Sequence, residues 1–257
     1  MDDLPSSWEA MYRDEKHSWF WPPAYDSKSN PPEMEAVVSL LGAQPGAKLL
    51  DLACGQGWLT IPLAQCGFHV TGFDLSAALL TRAEQAANQA GVRIEWVRGD
   101  MRDLPREWTD CFEYVTLTLS EFGCFGNESE NQRVLDEVAR VLKAEGRFLL
   151  DIVVNRDGLI LHGETRNCLE GNGFFVSEQG SLDLLSGIHQ RVYDWYCQGQ
   201  RYEAKWQIRA YTPPEVAHML EKAGFGVSAV YGNLMGDMLV RDSMGMAFVA
   251  QKRALSS

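Results

Sequence analysis

Between Lys48 and Val154, short apolar runs alternate with segments of helical period, and this alternation restricts the fold more than any other feature of the chain. Lys48–Leu52, Phe68–Phe73, Arg93–Val97, Phe112–Leu119 and Arg147–Val154 read as strands rich in Val, Leu, Phe and Tyr. Leu59–Cys66, Ala77–Ala90 and Asn131–Leu142 read as helices between them. Ser76 is a cap residue before the second of these helices and Gly91 a stop after it. Parallel strands need long crossovers, and helices supply them, so the pattern predicts a doubly wound, Rossmann-like α/β domain with a parallel sheet covered on both faces. A chain of 257 residues has the length for such a core in one domain or two.

The flanks differ in texture. Residues 1–32 carry Trp8, Tyr12, Trp19, Phe20, Trp21 and Tyr25, with Pro22, Pro23, Pro31 and Pro32 breaking any long helix, which reads as an aromatic arm lying over something apolar, with the main domain at 33–257. Met34–Leu41 has helical spacing. After Asn155, β-prone segments with turn-like SG and QGQ between them predict a small antiparallel meander inserted after strand 5, at about 160–209. Thr212 with Pro213 starts a further helix, and Val227–Tyr231 and Met244–Gln251 supply the last two strands.

Within this frame the stretch LLDLACGQGW, residues 49–58, sets the ligand question. Glycines after a first strand bring backbone close to a ligand at the carboxyl edge of a sheet. The nicotinamide fingerprint GxGxxG fails at its third glycine, where Thr60 stands, and no Gly-Lys-Ser/Thr ending makes it a P-loop. A carboxylate at Asp51 disfavours a pyrophosphate and suits an ammonium or sulfonium group. Asp74, 23 residues beyond Asp51, ends the second strand, where an acid can accept two ribose hydroxyls. Asp100 follows the third, where it can accept from an adenine amino group beside the Met101 N–H. A cationic amino acid, a ribose and an adenine together describe S-adenosylmethionine.

LLDLACGQG, VTGFDLS, GDMRDLP, FEYVTLTLSEF and RVLDEVARVLKAEGRFLLDIV, in this order and spacing, resemble the class I S-adenosylmethionine-dependent methyltransferase family over residues 47–155. The resemblance implies a seven-stranded sheet with the last strand antiparallel and S-adenosylmethionine as cofactor. It implies that Asp51 orients the methionyl amino group, while Ala53, Gly55 and Gly57 give the backbone its close approach. It further implies that Asp74 holds the ribose with Leu75 near the adenine, that Asp100 and Met101 read the adenine edge, and that Leu119 touches the methionine portion. Trp8 and Tyr12 resemble an arm that closes over the cofactor in some members. Ala53 departs from the family's usual glycine, a mild change unless that position needs positive φ.

The acceptor side is less legible. Glu121, just past the fourth strand, is the candidate catalytic residue, as a base or as the holder of a cationic amine, and Phe122 and Phe125 are candidate walls of the substrate pocket. The meander's aromatics, Tyr193, Trp195, Tyr196, Tyr202 and Trp206, could form a lid, a cover for the sheet or a homodimer contact. The D/N-P-P-Y/F tetrad of enzymes that methylate exocyclic base nitrogens is replaced by Ser120-Glu121-Phe122-Gly123, and no Pro-Cys nucleophile occurs. A net charge of −12 repels phosphate backbones, so the expected partner is a small molecule rather than nucleic acid. No run reaches the ~18 apolar residues of a membrane span and no secretory leader is evident, so a cytoplasmic location is expected. Six scattered cysteines without CxxC or zinc spacing read as reduced thiols, with no metal site. The expectation is N- or O-methylation by direct in-line transfer; a cofactor-sensing protein and an aminopropyl-transfer relative are the alternatives.

Overall fold

Leu49 and Leu50 point to opposite faces of one strand, as the two-residue period of β-structure requires, and each enters a different core. The computed structural model describes residues 32–120, 122–125, 127–163, 165–171, 174–197 and 200–254. Leu49 joins Met34, Val37, Leu41, Leu63, Val70 and Val249 on one side of the main sheet. Leu50 and Leu52 join Phe73, Val115, Leu117, Val134, Phe148 and Phe225 on the other. Both cores are fully desolvated, which is why the strands read as continuous apolar runs rather than alternating ones.

The elements run as α1 (Pro32–Leu41), β1 (Lys48–Leu52), α2 (Thr60–Gln65), β2 (His69–Asp74), α3 (Ala77–Ala90), β3 (Glu95–Arg98), β4 (Phe112–Ser120), α4 (Glu128–Val141) and β5 (Leu142–Ile152). There follow α5 (Arg156–His162), β6 (Thr165–Gly171), β7 (Phe174–Leu182), β8 (Ile188–Cys197), β9 (Gln200–Arg209), α6 (Pro213–Lys222), β10 (Phe225–Tyr231) and β11 (Met246–Lys252). The seven-stranded sheet has the order β10-β11-β5-β4-β1-β2-β3. β1 pairs in parallel with β2 and β4, and β11 runs antiparallel to both β5 and β10. The expected seven-stranded sheet with its last strand reversed is therefore present. The order reverses at β1, whose neighbours β2 and β4 diverge in chain direction of travel, and ligands of open α/β sheets sit at such a switch point.

β6 to β9 form a separate four-stranded antiparallel sheet between β5 and α6. Local chemistry fixes the helix ends. The Ser76 hydroxyl accepts the Leu79 N–H at 3.3 Å, and Gly91 closes the same helix in the left-handed conformation. Thr212 and Glu215 make a reciprocal capping box on α6, with Pro213 in its first turn. Among the described residues no helix is long and apolar enough to cross a membrane, and Cys54, Cys66, Cys111 and Cys124 are free thiols. Residues 1–31, and with them the proposed contacts of Trp8 and Tyr12, lie outside the described residues.

Candidate active site

β1 and β2 end side by side, Leu52 in register with Phe73, so their acids meet across the first crossover. The Asp74 carboxylate receives the Gly55 N–H on Oδ2 and the Ser76 N–H on Oδ1, both at 2.8 Å. One side chain thus ties the glycine loop to the start of α3. A carboxylate has about four acceptor positions, so Asp74 retains capacity for hydroxyl donors beside these two bonds. Burial pushes its pKa up, and the N–H groups of Ser76, Gly55 and Leu75 work against that rise.

Asp51 is 2% exposed and is held by two hydroxyls: Thr60 donates to Oδ2 at 2.6 Å and Thr116 to Oδ1 at 2.9 Å. Burial is the largest influence on it and raises its pKa to about 6; the two hydroxyls oppose that, and the charge of Asp74 adds to it. Among the described residues Asp51 makes no ion pair. A buried carboxylate held only by neutral donors is electrostatically incomplete, and an ammonium-bearing ligand supplies the missing charge. Neither threonine carries a local signal: Thr60 reaches Asp51 from the start of α2, nine residues on, and Thr116 from β4, 65 residues on.

The loop between the acids runs through three positive-φ residues. Gly55 lies at φ 55° and Gly57 at φ 83°, where a Cβ on Gly57 would stand 3.0 Å from the Trp96 ring. Ala53 lies at φ 54°, so the position does require positive φ and the alanine there is strained by about 1 kcal/mol relative to glycine. Cys54 is buried between the acids, and burial together with their charges pushes its thiol well up, so it is no nucleophile. Leu75 is half-buried beside this loop, and its carbonyl accepts from Arg98 at 3.1 Å.

Asp100 and Met101 lie past β3 as expected, but Asp100 has a partner. Burial alone would raise its carboxyl; Arg102, bonded to it at 2.6 Å, holds it below the usual carboxylate range. Arg102 also pairs with Glu130 at 2.8 Å and lies 4.5 Å over the Phe125 ring, so it bridges the loop after β3 to α4 and the turn after β4. An arginine two residues beyond its aspartate carries no periodic signal, and the sequence reading passed over it. Met101 is half-buried against the core that Leu104 and Trp108 enter.

On the acceptor side, Leu119 lies in the last turn of backbone of β4, where the β4–β5 register shifts between Leu117 and Ser120. Such irregularities bend a strand end and are common beside sites. Glu121 lies outside the described residues. Phe122 and Phe125 are 1% and 3% exposed and belong to the main core, Phe122 tilted against Tyr211 with ring centres 5.7 Å apart. Tyr211 also receives the Asn131 amide at 3.1 Å, which leaves Asn131 Oδ1 buried without a partner. His189 on β8 is buried too, with Nδ1 unpartnered, and burial foremost, with the Arg191 charge behind it, lowers its pKa to about 4. Each such atom costs about 1–3 kcal/mol, which a hydrogen-bonding ligand could return. His162 is exposed at the end of α5, 3.1 Å from the Asp242 carbonyl.

Residues 49–146 match the family model of a methyltransferase domain. The chain is 38% identical over 117 residues to a demethylmenaquinone methyltransferase of Clavibacter sepedonicus, covering 45% of this chain and 44% of that one. It spans about half the length, or less, of several curated relatives it matches. Among solved structures, the CcbJ methyltransferase from Streptomyces caelestis superposes with a TM-score of 0.80 at 19% identity, over 96% of this chain and 99% of that one. The sugar N-methyltransferase KedS8 from Streptoalloteichus superposes with a TM-score of 0.67 at 19% identity, over 89% and 90%. These likenesses carry the fold, and the family match covers the glycine loop, Asp51, Asp74, Asp100 and β4. Over residues 49–146 the chain is thus similar to methyltransferase domains, and its fold as a whole is that of S-adenosylmethionine-dependent methyltransferases.

Proposed function

We propose that this protein transfers a methyl group from S-adenosylmethionine to the nitrogen or oxygen of a small molecule, with β6–β9 as the insertion that shapes the acceptor side. The observation that carries the reading is the pair of buried carboxylates at the ends of adjacent strands, one completed by backbone N–H groups and the other lacking a cation. Asp51 fits the methionyl ammonium, Asp74 the ribose hydroxyls, and Asp100 with the Met101 N–H the adenine edge. The positive-φ turn of Ala53, Gly55 and Gly57 lets backbone approach the ligand without a Cβ in the way of the glycines.

Bound there, S-adenosylmethionine supplies a methyl group already activated on a sulfonium. What the chain adds is placement and exclusion of water, which can lower the barrier of an in-line displacement without covalent help from the protein. A nucleophile that must shed a proton also needs an acceptor for it, and Glu121 stands at the right point of the chain for that task. A lean towards nitrogen draws on the acidic chain, whose field favours amines over anions, and on the fold it shares with KedS8. A cytoplasmic location and a homodimer through β6–β9 belong to the same proposal.

Isothermal titration with S-adenosylmethionine and S-adenosylhomocysteine, beside Asp74→Ala and an NADH control, tests the cofactor assignment. Labelled methyl transfer to a panel of amines and alcohols tests the reaction. Micromolar binding of both adenosyl ligands with transfer to at least one acceptor is expected. Binding without any transfer would leave a sensor, and binding of NADH alone would sink the reading.

A further inference from the structure

Three buried polar atoms without partners among the described residues, Asn131 Oδ1, Arg156 Nε and His189 Nδ1, lie on elements around the junction of the four-stranded sheet with the ends of β4 and β5. Asn131 bonds Tyr211, the second residue after β9, and Arg156 donates to the Leu184 carbonyl in the β7–β8 turn at 2.6 Å. His189 is the most telling of the three, because the strand register fixes its surroundings.

His189 stands opposite Ile208 of β9 and Leu182 of β7, and cross-strand partners share a face. Ile208 reaches the turn after β4: its Cγ1 lies 3.3 Å from where a Cβ on Gly123 would stand. The adjacent Arg209 N–H donates to the Gly123 carbonyl at 2.9 Å. Leu182 packs against the cluster of Val154, Leu159 and Ala210 at the exit of β5. The imidazole is thus bracketed by two side chains, each seated on one of the two loops that leave the parallel sheet beside the methyl-transfer position.

We propose that His189 is an acceptor-binding residue, its Nδ1 hydrogen-bonding an amine- and hydroxyl-bearing small molecule without anionic groups. The proposal deepens the methyl-transfer reading and rests on it. The chemistry of the face selects this class. Burial keeps the imidazole neutral at pH 7, with one N–H and one lone pair to offer and no charge to attract an anion. Arg191, two residues along the same face, is committed elsewhere. It pairs with Glu178 at 2.7 Å and lies 5.2 Å and 5.4 Å from the ring centres of Tyr193 and Trp206. Asn131 Oδ1, at the other end of the junction, asks for a donor. Hydroxyl and amine groups answer both.

The test uses the full chain, saturated with S-adenosylhomocysteine and 15N-labelled at histidine, with D-glucosamine as probe and D-glucuronate as anionic control. Glucosamine is expected to shift the His189 imidazole resonances, and glucuronate to leave them in place. By titration, His189→Leu should weaken glucosamine about tenfold or more, His189→Gln should recover most of that loss, and both should bind S-adenosylhomocysteine as the parent does. An unmoved imidazole, an equal response to glucuronate, or a Leu variant that binds glucosamine normally would overturn the assignment. So would a Gln variant that fails like Leu, or a loss of S-adenosylhomocysteine affinity in both variants, since packing alone would produce either. If the parent chain bound no S-adenosylhomocysteine, the methyl-transfer reading itself would fall instead.

Discussion

The two sides of the crevice solve their polar groups differently. At the cofactor edge, Asp51 and Asp74 have every oxygen engaged by a donor from the protein, from Thr60, Thr116, Gly55 and Ser76. At the edge proposed for the acceptor, Asn131 and His189 keep buried atoms without a hydrogen-bond partner among the described residues. The hydrogen bonds of the first edge are met within the fold, and only the charge of Asp51 is left uncompensated among the described residues. The second carries unmet hydrogen-bond demand, which is how a pocket selects among acceptors: a molecule lacking the right donor leaves the atom unpaired and is rejected.

Asp74 should show the largest effect of any single substitution. Asp74→Ala removes the ribose acceptor and frees the Gly55 and Ser76 N–H groups, so S-adenosylhomocysteine affinity should drop about 100-fold or more by titration. A loss below tenfold would mean the loop holds itself without the acid.

Next comes pH. The folded pKa of Asp51, about 6, exceeds its ordinary 3.8, so this acid favours the folded state fully below pH 3.8 and loses that contribution as pH rises through 6. The loss is about 3 kcal/mol in the ligand-free protein. An ammonium-bearing ligand prefers the carboxylate, so the affinity for S-adenosylhomocysteine should rise about tenfold between pH 5 and pH 7. Asp51→Asn should flatten that rise while raising stability at pH 7; a slope unchanged in the variant would reassign the titration to Asp74.

On the other edge, Arg191→Met leaves Glu178 half-paired on a face where both side chains are less than one-sixth exposed. Stability should fall by about 1–3 kcal/mol, read by urea unfolding, with S-adenosylhomocysteine affinity unchanged. A drop in cofactor affinity would show that the two edges are coupled rather than separate. The smallest effect is expected at Ala53→Gly. It relieves a left-handed alanine at the expense of a more flexible unfolded chain, a net gain of at most about 1 kcal/mol in thermal unfolding.

Legibility follows the same divide. At the cofactor edge each functional residue sits at a strand end announced by its own local pattern, and Ser76 and Gly91 bound α3 where their chemistry says they should. α4 began earlier than its apolar period suggested, at Glu128, because Asn127 caps it ahead of the first buried position. α5 is too short to show a helical period, and Asn155 caps it just ahead of the segment expected as a meander. Thr60 and Thr116 are ordinary residues until the sheet brings them to Asp51. For β6–β9 the sequence yields alternation without saying which face turns inward, since a shift of one residue exchanges the two. His189 therefore became meaningful only through its register with Leu182 and Ile208.

Gly123 has a consequence for anyone who would rebuild this molecule by exchange of parts. Its carbonyl carries the Arg209 N–H, and a Cβ there would lie 2.3 Å from the Arg209 carbonyl oxygen, so the turn after β4 and the end of β9 are fitted to one another. A chimera that imports a foreign four-stranded sheet without residues 122–125 would bring mismatched parts to that seam; the unit that can be exchanged intact is discontinuous in the chain.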